Sequence, residues 1–148
     1  MIKTFDIKKA YGARKVLDGV TFTAEPKKIT YIFGASGGGK STLLKILIGA
    51  LAPDSGRVLF RDEDISRLKG NELAPFRKRI GMLFQQGALL NSLTVGENIA
   101  LPIREHTNLD DNIIKIMVKM KLELVGLRDF EDLLPGQLSG GMQKRVAL

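Results

Sequence analysis

The stretch Thr30-Tyr31-Ile32-Phe33-Gly34-Ala35-Ser36-Gly37-Gly38-Gly39-Lys40-Ser41-Thr42 decides the reading of this chain. Its second part, GASGGGKST at 34–42, satisfies G-x-x-x-x-G-K-[ST], with Gly34, Gly39, Lys40 and Ser41 in the fixed positions. A triphosphate needs many donors converging on it without steric interference, and a glycine-rich backbone can wrap around it because glycine accepts positive φ. Lys40 then reaches the β- and γ-phosphates, and the Ser41 hydroxyl ligates Mg²⁺. The flanks agree with this reading. Residues 30–33 are β-branched and aromatic and read as a strand, while residues from Ser41 to about Leu51 have helical character. Strand, loop, helix is the order that sets the phosphates on a helix N-terminus.

Working outward, residues 2–10 and 16–24 read as strands separated by a turn around Gly12, and 57–60 as a strand after the turn signal Pro53-Asp54-Ser55-Gly56. Residues 71–79 predict a short helix and 80–84 a buried strand. Beyond it the sequence turns helical. Thr94-Val95-Gly96-Glu97 has capping-box spacing with Thr94 as N-cap, and Pro102 is expected to end that helix. From Asp110 to Val125, Ile113, Ile114, Met117, Val118, Met120, Leu122 and Leu124 recur at helical spacing, a core or packing face that Gly126 closes. Leu138-Ser139-Gly140-Gly141-Met142-Gln143 opens a last helix with no stop signal before Leu148, as if the chain were cut inside an element. There is no internal repeat and no low-complexity segment.

Composition narrows the class. With 148 residues, 44% of them hydrophobic, the chain is one globular domain or most of one, not a disordered tail. It has no cysteine, so disulfides and thiolate metal sites are excluded, which accords with a reducing, cytoplasmic setting. No apolar run approaches the roughly 18 residues needed to span a bilayer. The net charge of +7 is spread over pairs and triplets such as Lys8-Lys9, Lys27-Lys28 and Arg77-Lys78-Arg79. Aromatics are not interleaved with them, so they read as solvated faces, and nucleic acid is not an expected partner.

These motifs, in this order and over essentially the whole chain, resemble the nucleotide-binding subunit of an ATP-binding-cassette transporter. Leu138-Ser139-Gly140-Gly141 is similar to that family's signature, Tyr11 lies where the family places an aromatic that stacks on adenine, and Gln85 follows 80–84 as the family's Q-loop glutamine does. The resemblance implies an α/β P-loop fold with an antiparallel β subdomain and a helical subdomain, truncated before the Walker B strand. It divides the chain into 1–84, β subdomain plus P-loop core, and 85–148, Q-loop, helical subdomain and signature.

The site implied is one for ATP and Mg²⁺, formed by Tyr11, Gly34, Ala35, Ser36, Gly37, Gly38, Gly39, Lys40, Ser41, Thr42, Gln85, Ser139, Gly140 and Gly141. Lys40, Gln85 and Ser139 would serve hydrolysis, and Ser41 and Gln85 would touch the metal. Tyr11 as an ordinary strand-end tyrosine, and Gln85 as a solvated loop amide that is easily confused with Gln86, remain the alternatives. In the family the signature completes the site of a second subunit in a head-to-tail dimer, and the pair sits on an integral-membrane permease at the inner face of the membrane. Met142 stands where the family usually has glutamine. The family's Walker B aspartate, catalytic glutamate and switch histidine lie downstream of the signature, so this chain alone is expected to lack hydrolysis. His106 precedes the signature and reads as a surface-loop residue.

More locally, Phe84-Gln85-Gln86-Gly87-Ala88-Leu89-Leu90, Leu101-Pro102-Ile103-Arg104-Glu105-His106-Thr107 and Met142 resemble the ATPases of bacterial Mla-type phospholipid transporters. The other functions open are a cassette ATPase without a permease, acting on nucleic acid or ribosomes, and a non-catalytic nucleotide-binding module.

Overall fold

The computed structural model describes residues 1–85 and 87–148, which form two compact units, Met1–Gly81 and Met82–Leu148. The first is built on an antiparallel hairpin. β1 (Ile2–Tyr11) runs into β2 (Arg14–Ala24) through Gly12-Ala13, with Tyr11 directly opposite Arg14. Gly12 has φ +59°, and a turn this short needs a residue that accepts positive φ. β3 (Ser55–Phe60) pairs with the other edge of β1 and the two-residue β4 (Glu63–Asp64) with β3, giving the order β2-β1-β3-β4.

Three register shifts shape the hairpin, between Thr4 and Ile7, Ile7 and Lys8, and Lys9 and Ala10. Asp6 takes φ +48° where the pairing shifts, and its N–H is donated to Thr21 Oγ1 at 2.8 Å. The pairing shifts again between Lys9 and Ala10, whose partners are Leu17 and Lys15, so Val16 between them has no partner of its own. Bulges of this kind re-aim the strand.

α1 (Lys40–Leu47) lays Leu43, Ile46 and Leu47 on the core with Ile7, Leu17, Val58, Phe60, Ile65, Leu73 and Phe76. It is shorter than the sequence predicts. Gly49 adopts φ +67° and donates its N–H to Ile46, and Ala50 reaches back to Lys45, which closes the helix before Leu51. The region predicted as a helix over 71–79 is a 3₁₀ turn (Gly70–Leu73) running into α2 (Ala74–Arg77). Phe76 meets Phe60 edge-on at 5.0 Å.

Residues 30–33 and 80–84 are not strands. No other segment among the described residues hydrogen-bonds alongside either stretch, and extended backbone becomes a strand only through a neighbour. Tyr31 and Phe33 stack at 5.8 Å, and Phe33 is 87% exposed; Leu83 and Phe84, predicted as buried, are exposed as well.

The second unit is helical. Thr94 caps α3 (Val95–His106) as predicted, accepting from Glu97 N–H while the Glu97 carboxylate accepts from Thr94 N–H at 2.7 Å. Pro102 does not end this helix; it lies inside it. A proline removes one hydrogen bond, and here the tertiary packing of Val95 and Ala100 outweighs that loss. His106 therefore sits, exposed, on the last turn of a helix, not in a loop. Asn98, also on α3, binds the preceding loop. Its Nδ2 donates to the carbonyls of Leu90, Leu93 and Thr94 at 3.0, 3.1 and 2.9 Å, and its Oδ1 accepts from Leu90 N–H at 2.8 Å.

α4 (Asp111–Leu124) is capped by Asp110 and closed by Gly126 at φ +67°. Of its apolar residues only Ile114, Val118 and Leu122 enter the core; Ile113, Met120 and Leu124 are exposed, Leu124 at 85%. The helix thus carries two apolar stripes, of which one faces the core with Leu127, Leu138 and Val146. α5 (Gly140–Val146) follows a 3₁₀ turn (Pro135–Gln137). Among the described residues no helix is long and apolar enough to cross a membrane.

One carboxylate joins the end of β1 to the turn before β3. Asp54 accepts from Lys9 Nζ at 2.5 Å and from Ala10 N–H at 2.7 Å, and these two bonds, the Lys9 one foremost, hold its pKa below the ordinary 3.8. A depressed carboxylate pKa contributes stability that is complete above the unfolded value and disappears as acid protonates the folded form. Wild type should therefore lose stability more steeply than Asp54→Asn as pH falls below about 3.8, in denaturant melts across an acid series. Parallel curves would refute the linkage.

Candidate functional site

The glycine-rich loop lies between residues 30–33 and α1, and its shape is set by contacts that leave no room for side chains. Gly39 has φ +83°, and a Cβ placed there would stand 2.7 Å from the Val16 carbonyl oxygen and 2.9 Å from Leu17 Cδ2. The unpartnered Val16 of β2 thus presents its backbone to the last turn of the loop. Gly37 has φ +74°, and Gly38 donates its N–H to Ala35 at 3.0 Å, closing a tight turn in which a Cβ at Gly38 would crowd the same oxygen.

Gly39 starts α1 with no side-chain cap. The first N–H groups of a helix have no intrahelical partner, so those of Lys40, Ser41 and Thr42 point out of its end, where the helix dipole also favours negative charge. Lys40 folds back over the loop, and its Nζ donates to the carbonyls of Gly34 and Ala35, both at 2.8 Å. Ser41, on the first turn, is exposed, and among the described residues its hydroxyl makes no hydrogen bond. The Ser41 hydroxyl is a hard oxygen that suits Mg²⁺ only once a bound phosphate supplies the negative charge, since the helix end and Lys40 are themselves positive and Mg²⁺ completes its shell with phosphate and water. No cluster of three or more acidic, histidine or cysteine side chains among the described residues offers an alternative metal site.

A cleft of about 320 Å³ runs along this loop, lined by Gly37, Gly38, Gly39, Lys40, Ser41 and Thr42 on one side and by Tyr11, Arg14 and Val16 of the hairpin on the other. Tyr11 is 54% exposed at the hairpin tip, an aromatic face free to stack. Sequence reasoning finds Tyr11 but misses Arg14 and Val16. The signal was the spacing of a two-residue turn, which sets residues 11 and 14 side by side.

The remaining predicted residues belong to the second unit. Gln85 is exposed in a turn, and Gln86 lies outside the described residues. Ser139 is the N-cap of α5, its Oγ accepting from Met142 N–H at 3.3 Å. Gly140 and Gly141 are exposed, and a Cβ at either would meet nothing within 4 Å. Nothing inside this unit therefore requires glycine at these two positions.

A glycine-wrapped loop that opens a helix, with a lysine folded over it and an aromatic across the cleft, defines a phosphate-loop nucleotide-binding domain. The chain belongs to the ABC transporter family, whose model matches residues 17–148. It is 50% identical over 137 residues to the intermembrane phospholipid transport system ATP-binding protein MlaF of Haemophilus influenzae, covering 93% of this chain and 52% of that one. To MlaF of Escherichia coli K12 it is 46% identical over 143 residues, 97% of this chain and 53% of the other. The chain thus spans about half the length of the curated relatives it matches. Among solved structures it superposes with a TM-score of 0.91 at 32% identity on the dimeric ATP-binding cassette MJ0796 in a post-hydrolysis state bound to ADP and Pi, covering 99% of this chain and 67% of that one.

The glycine positions make a graded prediction. Gly39→Ala meets both a positive φ and a backbone collision, and should destabilise the Met1–Gly81 unit by more than about 2 kcal/mol. Gly12→Ala, at φ +59° with nothing within 4 Å, should cost only the conformational penalty of about 1 kcal/mol. Denaturant unfolding of the two variants checks the order, and equal losses would remove the collision with Val16 from the account.

Proposed function

We propose that this chain is the MgATP-binding part of an ABC transporter subunit, which in the whole protein couples ATP hydrolysis to movement of phospholipid or another hydrophobic substrate across a membrane. The observation that carries this reading is the cleft, where the 37–42 backbone, Lys40 and Ser41 converge opposite Tyr11. A phosphate oxygen is a stronger acceptor than the carbonyls Lys40 now serves, so its ammonium turns to the β- and γ-phosphates. Tyr11 stacks on the base. The Ser41 hydroxyl would hold Mg²⁺, which when bound would supply positive charge against the phosphate oxygens. Gln85, exposed in a turn of the second unit, carries an amide whose oxygen can ligate a metal or hold a water.

The signature residues act on a second copy of the chain. Glycines at 140 and 141 that no internal contact explains fit an approach by something from outside, and the N–H groups that open α5 beside Ser139 suit a phosphate. The dimeric state of MJ0796 supports a paired arrangement. The phospholipid substrate and the permease partner rest on the likeness to MlaF, named as part of a phospholipid transport system. The subunit would lie at the cytoplasmic face of the membrane through that permease.

Lys40→Ala should weaken MgATP binding at least tenfold, about 1.4 kcal/mol, by calorimetry. Equal affinity in the two proteins would sink the site. In the full-length protein, Ser139→Arg should leave ATP affinity of the monomer nearly unchanged while abolishing ATP-driven dimerisation and turnover. Collapse of monomer affinity would show instead that the signature acts on its own chain.

A further inference from the structure

Across the cleft from Lys40 lies a second cation. Arg14 is the first residue of β2 and pairs directly with Tyr11 across the hairpin, and directly opposed residues of an antiparallel pair project to the same face of the sheet. Its Nη2 donates to the Gly37 carbonyl at 3.4 Å, a long bond, and stands 3.3 Å from where a Cβ on Gly37 would be. No ion pair among the described residues involves Arg14 or Lys40. No carboxylate lines the cleft. Two cations, Arg14 exposed and Lys40 partly buried, thus rest on loop carbonyls along one groove with no carboxylate in its lining to neutralise them.

We propose that Arg14 is a nucleotide-binding residue that donates from its guanidinium to the phosphate chain, opposite Lys40. This rests on the proposed nucleotide site and adds to it a contact that the loop motif does not contain. A guanidinium presents several donors in one plane and binds phosphate oxygens in pairs, more strongly than it binds a single neutral carbonyl at the limit of hydrogen-bond distance. The two-residue turn is what makes this possible. It fixes Arg14 beside Tyr11, so the base and the phosphates are gripped by neighbouring positions of one rigid hairpin. Gly37 leaves the space through which the arginine reaches the loop.

The test is calorimetry of MgATP binding to the full-length protein as wild type, Arg14→Ala and Arg14→Gln, at low and high salt. Both variants should bind about tenfold more weakly at low salt, and the difference should shrink as salt screens the charge. Melts without nucleotide should be unchanged, since Arg14 is exposed. Wild-type affinity in Arg14→Gln, which keeps an amide donor for Gly37 but no charge, would overturn the proposal and leave Arg14 a neutral latch on the loop. Unchanged affinity in both variants with loss of turnover would overturn it as well, placing the arginine's role outside nucleotide binding. Failure of the wild type to bind MgATP would instead remove the nucleotide site itself, and the Arg14 contact with it.

Discussion

Gly39 has no side chain because the backbone of β2 occupies the place a side chain would take. A Cβ would lie 2.7 Å from the Val16 carbonyl, and the positive φ there turns the loop into α1. Everything the cleft can do depends on this contact. It brings the start of α1 against the hairpin, so the outward N–H groups of the helix and the residues of the hairpin tip share one groove. The bulge on β2 supplies the other half of the fit, since an unpaired Val16 is what frees that carbonyl to face the loop.

The same hairpin is anchored at its other side. Asp54 takes up Lys9 and the Ala10 N–H, one residue before Tyr11, and ties them to the turn that follows α1. The tip carrying Tyr11 and Arg14 is therefore held from the helix side and the strand side, and its position does not rely on the two-residue turn alone. The Asp6 irregularity belongs to the same scheme. A Cβ on Gly56 would collide with the Asp6 carbonyl at 2.4 Å, so β3 approaches the bulge only because that position is glycine.

Local chemistry was legible in the sequence and pairing was not. The loop motif, the Gly12 turn, the Thr94 capping box and the Gly126 stop each need only a few adjacent residues, and each stands where the sequence puts it. The stretches 30–33 and 80–84 have strand composition yet make no ladder, because a strand is a relation between two segments and composition describes one. Pro102 failed as a stop signal for a related reason: a helix interior loses one bond to proline, but burial elsewhere on α3 decides whether the helix continues. On α4 the spacing of apolar residues identified a helix correctly and could not tell which of its two stripes faces a core. Arg14 escaped notice because a lone arginine has no motif; only its cross-strand partner marks it.

Asn98 joins residues 90–94 to α3 through a single primary amide whose nitrogen faces three carbonyls while its oxygen accepts one N–H. The polarity of that group is what makes the joint hold. Aspartate has the same shape, but in place of the donating nitrogen it would set a second negative oxygen among the Leu90, Leu93 and Thr94 carbonyls, turning each attraction into repulsion. Of the side chains with this outline, only the amide can fasten the loop before α3: leucine offers neither donor nor acceptor, and aspartate offers the wrong sign.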